Sequence, residues 1–142
     1  MKRLTLFFLL GIFTTGLFAQ KISSSQVPYL ILKDFKSKFN NAKKVKWIKE
    51  EKNYEAEFKI NGKAIDVTYD TIGNWVETLS EISLVDLPSN IVNAINKLFH
   101  DCKIISAARL DQNKNDALFE AEIRFKGKKS IATFDTNGNQ ID

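Results

Sequence analysis

Residues 54–60 read YEAEFKI, an uninterrupted alternation of apolar and charged side chains. A period of two residues is typical of a β-strand with one buried face and one face towards solvent. Asn61-Gly62 follows directly, and a second alternating run spans residues 63–70. Because Asn-Gly between two alternating runs favours a two-residue turn, this stretch predicts an antiparallel hairpin with one polar face.

The same pattern returns later in the chain and indicates an internal repeat. Residues 119–125 read FEAEIRF, 65 positions after YEAEFKI, and the turn sequence DTIGN returns as DTNGN at 135–139. Upstream, an offset of 60 positions aligns residues 28–39 with residues 88–99. An insertion of five residues in the polar loop at 111–116 accounts for the change of offset. We therefore predict two copies of one supersecondary unit.

Each copy begins with a predicted helix. Pro28 and Pro88 suit the first helical turn, where no amide donor is needed, and apolar residues follow each proline at helical spacing. About four antiparallel strands follow each helix. The predicted fold is α+β, a tandem repeat over residues 20–82 and 83–142 that forms one compact domain. Both helices are predicted to pack on one face of the sheet.

The opposite face of the sheet is predicted to be polar and solvated. Its predicted members are Glu55, Glu57, Lys59, Asp66, Thr68, Glu120, Glu122, Arg124, Ile131 and Thr133. A basic residue follows the pair of glutamates in both copies, Lys59 in the first and Arg124 in the second. A duplicated ladder of charges explains this pattern better than two glycosidase-like sites.

The N-terminus has the three parts of a secretory signal peptide. Lys2 and Arg3 precede an uncharged run over residues 4–18, and the small residue Ala19 precedes polar sequence. We predict a signal peptide over residues 1–19, cleavage after Ala19, and a periplasmic or secreted protein without a membrane span after cleavage. An uncleaved anchor is the alternative, but a spanning helix needs roughly twenty apolar residues.

The charge of the chain argues against a nucleic-acid partner. The full sequence has a formal net charge of +4, and loss of Lys2 and Arg3 with the signal reduces it to +2. Such a small charge spread along an exported chain is no nucleic-acid footprint.

The sequence offers little for catalysis. Cys102 and His100 are the single residues of their types, which excludes a disulfide framework and two-His metal motifs. A Cys102–His100 nucleophile pair is conceivable, but the first copy has Ala42 and Asn40 at these places. The two DTxGN turns lack the further oxygen ligands of a calcium loop. We predict no catalytic residue, no cofactor, no metal and no enzymatic activity, and we expect a buried Cys102.

Two tryptophans have no aromatic counterpart in the second copy. Ala107 and Gln140 stand at the places of Trp47 and Trp75. Core packing is the ordinary role of such residues, but tryptophan is also enriched at binding hot spots. Trp75 is the better candidate for a partner contact, because it follows a turn at the start of a predicted strand.

A resemblance to a known family adds to these expectations. Residues 38–47 read KFNNAKKVKW and resemble the opening of the PepSY-like family of secreted bacterial proteins. YEAEF at 54–58, Gly62-Lys63 and the turn that leads into Trp75 share the resemblance, which covers essentially the whole mature chain. The family is described as similar in fold to the β-lactamase inhibitor protein. The resemblance implies tandem helix-plus-hairpin units and an extracytoplasmic location, and it implies no catalytic residues; fold kinship alone does not transfer inhibition.

The sequence thus favours an exported, non-enzymatic binding module. Its partner is expected to be a protein, for example an exported hydrolase that it restrains, because a small ligand needs a concave apolar pocket. The predicted contact residues are Trp75, Glu55, Glu57, Lys59 and Asp66. The alternative is a structural or envelope-maintenance protein that self-associates through the edge left by a short last strand. An enzymatic role would rest on the carboxylate pairs and Cys102 alone.

Overall fold

The computed structural model describes residues 19–141. The predicted signal peptide therefore lies outside the described residues, apart from Ala19. Within them the protein has an α+β fold with two α-helices, α1 (Tyr29–Lys38) and α2 (Ser89–Leu98). The strands are β1 (Gln20–Ile22), β2 (Lys43–Lys49), β3 (Asn53–Ile60), β4 (Lys63–Asp70), β5 (Trp75–Ile82), β6 (Lys103–Gln112), β7 (Leu118–Phe125), β8 (Lys128–Asp135) and β9 (Gln140–Ile141).

All the described strands form one antiparallel sheet in which each strand pairs with the next along the chain. A short 3₁₀ turn precedes each helix, at Ser24–Gln26 and at Leu84–Asp86. Strands β5 and β6 join the two halves of the sheet, with register pairs that run from Glu77 opposite Gln112 to Ile82 opposite Ala107. The sheet is therefore continuous across the boundary that the sequence predicts at residue 82.

The hairpin predicted at Asn61-Gly62 is confirmed. Ile60 pairs with Lys63 across the turn, and both turn residues have positive φ, 51° at Asn61 and 82° at Gly62. Two consecutive positive φ angles define the type I′ turn, whose twist matches that of the flanking strands. Phe125 pairs with Lys128 across the corresponding turn of the second half.

Each helix buries two large apolar side chains that lie one helical turn apart. Ile31 and Phe35 of α1 and Ile91 and Ile95 of α2 are buried, as the apolar spacing predicts. The first core cluster contains Val27, Ile31, Phe35, Trp47, Ala56, Phe58, Val67 and Tyr69. The second contains Leu87, Ile91, Ile95, Ala107, Phe119, Ala121, Ile123, Ala132 and Phe134.

The strand register relates the two clusters to each other. Ile65 packs against the first cluster and lies opposite Ser80. Ser80 in turn lies opposite Arg109 of β6, and Arg109 lies opposite Phe119 of the second cluster. Residues directly opposite one another across paired strands project from the same face. The alternate residues of these strands consequently form a separate face that faces away from both clusters.

Candidate functional site

Acidic side chains are concentrated on the face that points away from the core. In β3, Ala56 and Phe58 are core residues, so Glu55, Glu57 and Lys59 project to the opposite side. We call this side the acidic face. Its carboxylates are Glu55, Glu57, Asp66, Glu77, Glu81, Glu120 and Glu122.

Strand pairing brings four of the five predicted contact residues together on this face. Glu57 lies directly opposite Asp66, and Glu55 lies opposite Thr68. Lys59, at the end of β3, lies opposite Ala64 and is exposed. The predicted cluster of Glu55, Glu57, Lys59 and Asp66 therefore exists as one continuous patch.

Glu55 lines a small depression in the acidic face. The depression has a volume of about 30 Å³, and its lining consists of Glu55, Asp66, Thr68, Glu77, Leu79, Leu110 and Glu120. Only 8% of Glu55 is exposed to solvent. The prediction of a solvated charge ladder is wrong at this residue, because Thr68 beside it is itself buried and side chains of β5, β6 and β7 complete the depression.

Three carboxyl groups of the depression, those of Glu55, Asp66 and Glu120, have raised pKa values. Burial raises the pKa of Glu55 to about 8, and the like charge of Asp66 adds to this effect, followed by Glu50, Glu57 and Glu77. Burial raises the pKa of Asp66 to about 6, with a further contribution from Glu57. The pKa of Glu120 is raised by burial and then by Glu77. Desolvation and mutual repulsion thus act together at this site.

Basic side chains lie at the margins of the acidic face. Lys59 and Arg124 are exposed at the ends of their strands. Lys129 forms an ion pair with Glu122, with Nζ 3.0 Å from Oε1. The face consequently has an acidic centre and a basic rim.

Trp75 does not belong to this patch. It lies opposite Tyr69, a core residue, and it packs against the first core cluster. The indole Nε1 donates a hydrogen bond of 2.8 Å to Thr78 Oγ1. Trp47 is also part of that cluster, with 5% of its surface exposed. The structure therefore separates Trp75 from the other four predicted contact residues.

The remaining candidates for chemistry have structural positions. Asp70 Oδ1 accepts hydrogen bonds from the backbone amides of Ile72 and Asn74 within its turn, and Asp135 makes the equivalent bonds. Cys102 is half-buried against the second core cluster, which agrees in part with the expected burial. Within residues 19–141, His, Cys, Asp and Glu form no group arranged to hold a metal ion.

Strands β5 and β6 provide a part of the site that was not among the predicted contact residues. Glu77, Leu79 and Glu81 alternate along β5 and share the acidic face, and Leu110 of β6 lies opposite Leu79. The alternation in WVETLSEI at 75–82 is the signal that could have identified the glutamates and Leu79.

In the part of the chain that the structure covers, no helix has the length and apolar character needed to cross a membrane.

Solved structures from Bacteroides have the same fold. A DUF2874 family protein from Bacteroides uniformis matches with a TM-score of 0.73 and 20% identity, over 82% of this chain and 87% of that one. A BLIP-like protein from Bacteroides fragilis matches with a TM-score of 0.68 and 23% identity, over 82% and 84%. A structure from Bacteroides eggerthii described as "putative periplasmic proteins" matches with a TM-score of 0.72 and 19% identity, over 82% and 86%.

Comparison with families of sequences identifies the chain more directly. No functionally curated protein matches it at a significant level. The model of the family described as "Putative beta-lactamase-inhibitor-like, PepSY-like" matches residues 17–71 and 52–141, which together span the described part of the chain. The resemblance drawn from the KFNNAKKVKW and YEAEF motifs is therefore confirmed, and the chain belongs to the PepSY-like, β-lactamase-inhibitor-like family.

Proposed function

We propose that this protein is an exported, non-enzymatic module that binds another protein through its acidic face. The observation that carries the proposal is the continuous patch around Glu55, Glu57 and Asp66, where carboxylates of four strands surround two leucines. A partner that neutralises the neighbouring carboxylates and covers the partly exposed Leu110 would gain binding free energy from both effects. Lys59 belongs to the rim of the same surface, whereas Trp75 lies outside it.

The shape of the patch favours a protein over a small molecule. Small-molecule sites generally enclose roughly 300–1,000 Å³, but the depression at Glu55 measures about 30 Å³. A sheet face of this kind offers area rather than depth, and protein interfaces use such area. A protein partner is therefore the better fit to the acidic face.

The comparisons support the class of partner and the compartment that we propose. One structural relative is described as BLIP-like and another as periplasmic. We infer that the partner is a protein of the bacterial envelope or the extracellular space, and that restraint of an exported hydrolase is the first activity to test. Export predicts that the purified mature protein begins at Gln20, which N-terminal sequencing would test.

The proposal includes the duplication of the chain. The order of 3₁₀ turn, helix and antiparallel strands is the same in both halves, and each half has its own core cluster. We propose that residues 20–82 and 83–142 are copies of one unit whose helices cover one face of a shared sheet. That arrangement would leave the acidic face free for a partner.

We expect Glu57→Lys to weaken partner binding at least tenfold, because it puts a positive charge beside Asp66 at the centre of the patch. Envelope extract would be passed over immobilised wild-type protein, and the affinity of any recovered protein would then be measured for both variants. Loss of about 1.4 kcal/mol of binding free energy corresponds to this tenfold effect. A recovered hydrolase would also be assayed for activity with and without the wild-type protein.

The matched control is Glu51→Lys, since Glu51 is exposed in the loop between β2 and β3. This variant has the same change of charge outside the acidic face and is expected to retain its partner. Equal binding by the wild type and Glu57→Lys would refute the proposed surface. Circular dichroism would verify that both variants keep the native fold.

Self-association through a sheet edge is the second candidate function. In the described residues, β9 pairs only with Thr133 and Phe134 of β8. The outer edge of β8 from Lys128 to Ala132 therefore lacks a pairing strand within residues 19–141 and resembles a site for strand addition. Sedimentation over a range of concentrations tests this candidate. A concentration-dependent dimer would favour it, and a monomer at high concentration would count against it.

A further inference from the structure

Within residues 19–141, no group donates a hydrogen bond to the buried carboxyl group of Glu55. Only 8% of the residue is exposed, and its pKa is governed by burial and neighbouring carboxylates rather than by any hydrogen bond. The described residues contain no fully enclosed side-chain oxygen that lacks a partner, so the Glu55 carboxylate reaches the surface through the depression that it lines. Burial of an unpaired carboxylate is costly. A hydrogen-bond donor or a cation from another molecule would therefore stabilise Glu55 at this position.

The surroundings of Glu55 restrict the charge of that group. Asp66, Glu77 and Glu120 line the same depression, and no lysine or arginine of the described residues lines it. The basic residues near the acidic face lie outside the lining of the depression: Lys46 on β2 is opposite Glu57, and Lys129 is paired with Glu122. A cation fits the depression and an anion does not.

Size and wall chemistry restrict the cation further. A volume of about 30 Å³ admits the head group of one side chain rather than a whole small molecule. Leu79 and Leu110 provide an apolar wall beside the carboxylates, and the methylene stems of lysine and arginine pack on such surfaces. The acidic groups of the described residues do not converge as metal ligands do.

We propose that the depression receives a lysine or arginine side chain of the partner protein, whose charged head pairs with Glu55 while its stem covers Leu79 and Leu110. This inference rests on the proposed function, because it specifies the chemistry of the protein that docks on the acidic face. Thr68, also in the lining, offers a hydroxyl as a further hydrogen-bond acceptor for the bound cation.

Binding of the basic side chain is expected to release protons. The groups that raise the pKa of Glu55 are Glu57 on its own strand, Glu50 after β2, Asp66 on β4 and Glu77 on β5, and all of them are acidic. Glu120 of β7 lines the same depression, and Lys46 on β2 lies opposite Glu57. The side chain opposite Glu55 on β2 is the neutral Ile48. The pKa of Glu55 is about 8, so deprotonation limits binding at lower pH. Affinity for a basic side chain should therefore increase about tenfold or more between pH 6 and pH 8.

Blocked tripeptides test the inference without knowledge of the partner. Peptides with lysine, arginine or norleucine between two alanines would be titrated into the isotope-labelled protein, and the carboxyl carbon of Glu55 would be followed by NMR. The lysine and arginine peptides are expected to shift this resonance in a saturable way. The norleucine peptide, which has an apolar side chain and no charge, is expected to leave it unchanged.

Two variants complete the test. Glu55→Gln is expected to reduce the affinity for both basic peptides at least tenfold, and Glu51→Gln, which neutralises an exposed glutamate, is expected to retain it. The inference would be overturned if the norleucine peptide gave the same response as the basic peptides, or if no peptide gave a response. It would also be overturned if Glu55 bound calcium chloride in a saturable way but did not bind the basic peptides. If the wild type does not bind the peptides but Glu57→Lys still abolishes partner binding, only this inference is refuted and the proposed function stands. Retention of the partner by Glu57→Lys would refute the proposed function.

Discussion

Unfolding of the purified protein in urea should require more free energy at pH 5 than at pH 8, by about 3 kcal/mol. The cause is Glu55, whose pKa of about 8 in the folded protein exceeds its ordinary value of 4.5. Between these two values the folded state holds a proton that the unfolded state has released. Folding stability therefore decreases as pH rises through this interval, by at most about 1.36 kcal/mol per pH unit for each such group.

Asp66 acts in the same direction over a lower range. Its pKa rises from 3.8 to about 6 in the folded protein, so its contribution is lost mainly between pH 4 and pH 6. Because the two carboxyls interact, proton release belongs to the cluster rather than to one residue. Below about pH 4 the trend reverses, since hydrogen bonds within their turns lower the pKa values of Asp70 and Asp135. The stability they provide disappears as they become protonated.

Glu55→Gln isolates the contribution of the buried carboxyl. Glutamine has nearly the shape of the protonated glutamate, so this variant should match the wild type at pH 5 and exceed its stability at pH 8 by about 2–3 kcal/mol. Glu51→Gln changes an exposed glutamate and should retain the wild-type pH profile. Constant or increasing stability of the wild type from pH 5 to pH 8 would contradict the raised pKa of Glu55.

The pattern of alternation predicted the faces of β3 and β4 but not the burial of Glu55. Alternation assigns a side chain to a face, and it correctly separates Glu55 from Ala56. Burial depends on which side chains lie on neighbouring strands. Leu79, Leu110 and Glu120 reach the depression from strands far along the chain, and their register follows from long-range pairing that one strand does not encode.

The position of Trp75 shows a second limit of sequence patterns. Glu77 lies opposite Thr68 on the acidic face, so strict alternation along β5 would also place Trp75 on that face. The register shifts between Thr68 and Tyr69, and Tyr69 lies opposite Trp75 rather than Val76. A bulge of this kind adds one residue to a strand and reverses the faces beyond it. Trp75 consequently packs against the first core cluster. The alternation of residues in β5 does not predict this position.

The predicted repeat, in contrast, rests on local features of the sequence. Turn residues and helical spacing recur at fixed offsets, and the type I′ turn at Asn61-Gly62 has its counterpart at Lys126-Gly127. Turns and helical spacing are determined by residues that are close together in the sequence, so they can be recognised without knowledge of the strand pairing. Whether the two halves unfold as one unit depends on the contacts between them.

Phe134→Ala is expected to destabilise the whole protein by about 3–5 kcal/mol, the usual cost of truncating a buried phenylalanine. Phe134 is fully buried in the second core cluster. Both tryptophans, Trp47 and Trp75, belong to or pack against the first cluster. Tryptophan fluorescence therefore reports on the half of the molecule that does not contain the substitution.

The pairing of β5 with β6 determines what that fluorescence should show. The ladder continues without a register shift from Glu77 to Ile82, and Ile82 of the first half packs against the second cluster. Separation of the halves would break these backbone hydrogen bonds and expose Ile82, so the two halves should unfold together. The urea midpoint from fluorescence should decrease as much as the midpoint from far-ultraviolet circular dichroism.

Ile131→Ala is the matched control for this experiment. Ile131 lies on the same strand as Phe134 but is 38% exposed, so its truncation should cost less than about 1 kcal/mol. A fluorescence midpoint that stays at the wild-type value in Phe134→Ala, while circular dichroism resolves two transitions, would contradict a single domain. Each half would then hold its own core without support from the other, and the depression at Glu55, which requires Leu110 and Glu120 of the second half, would be lost at the first transition.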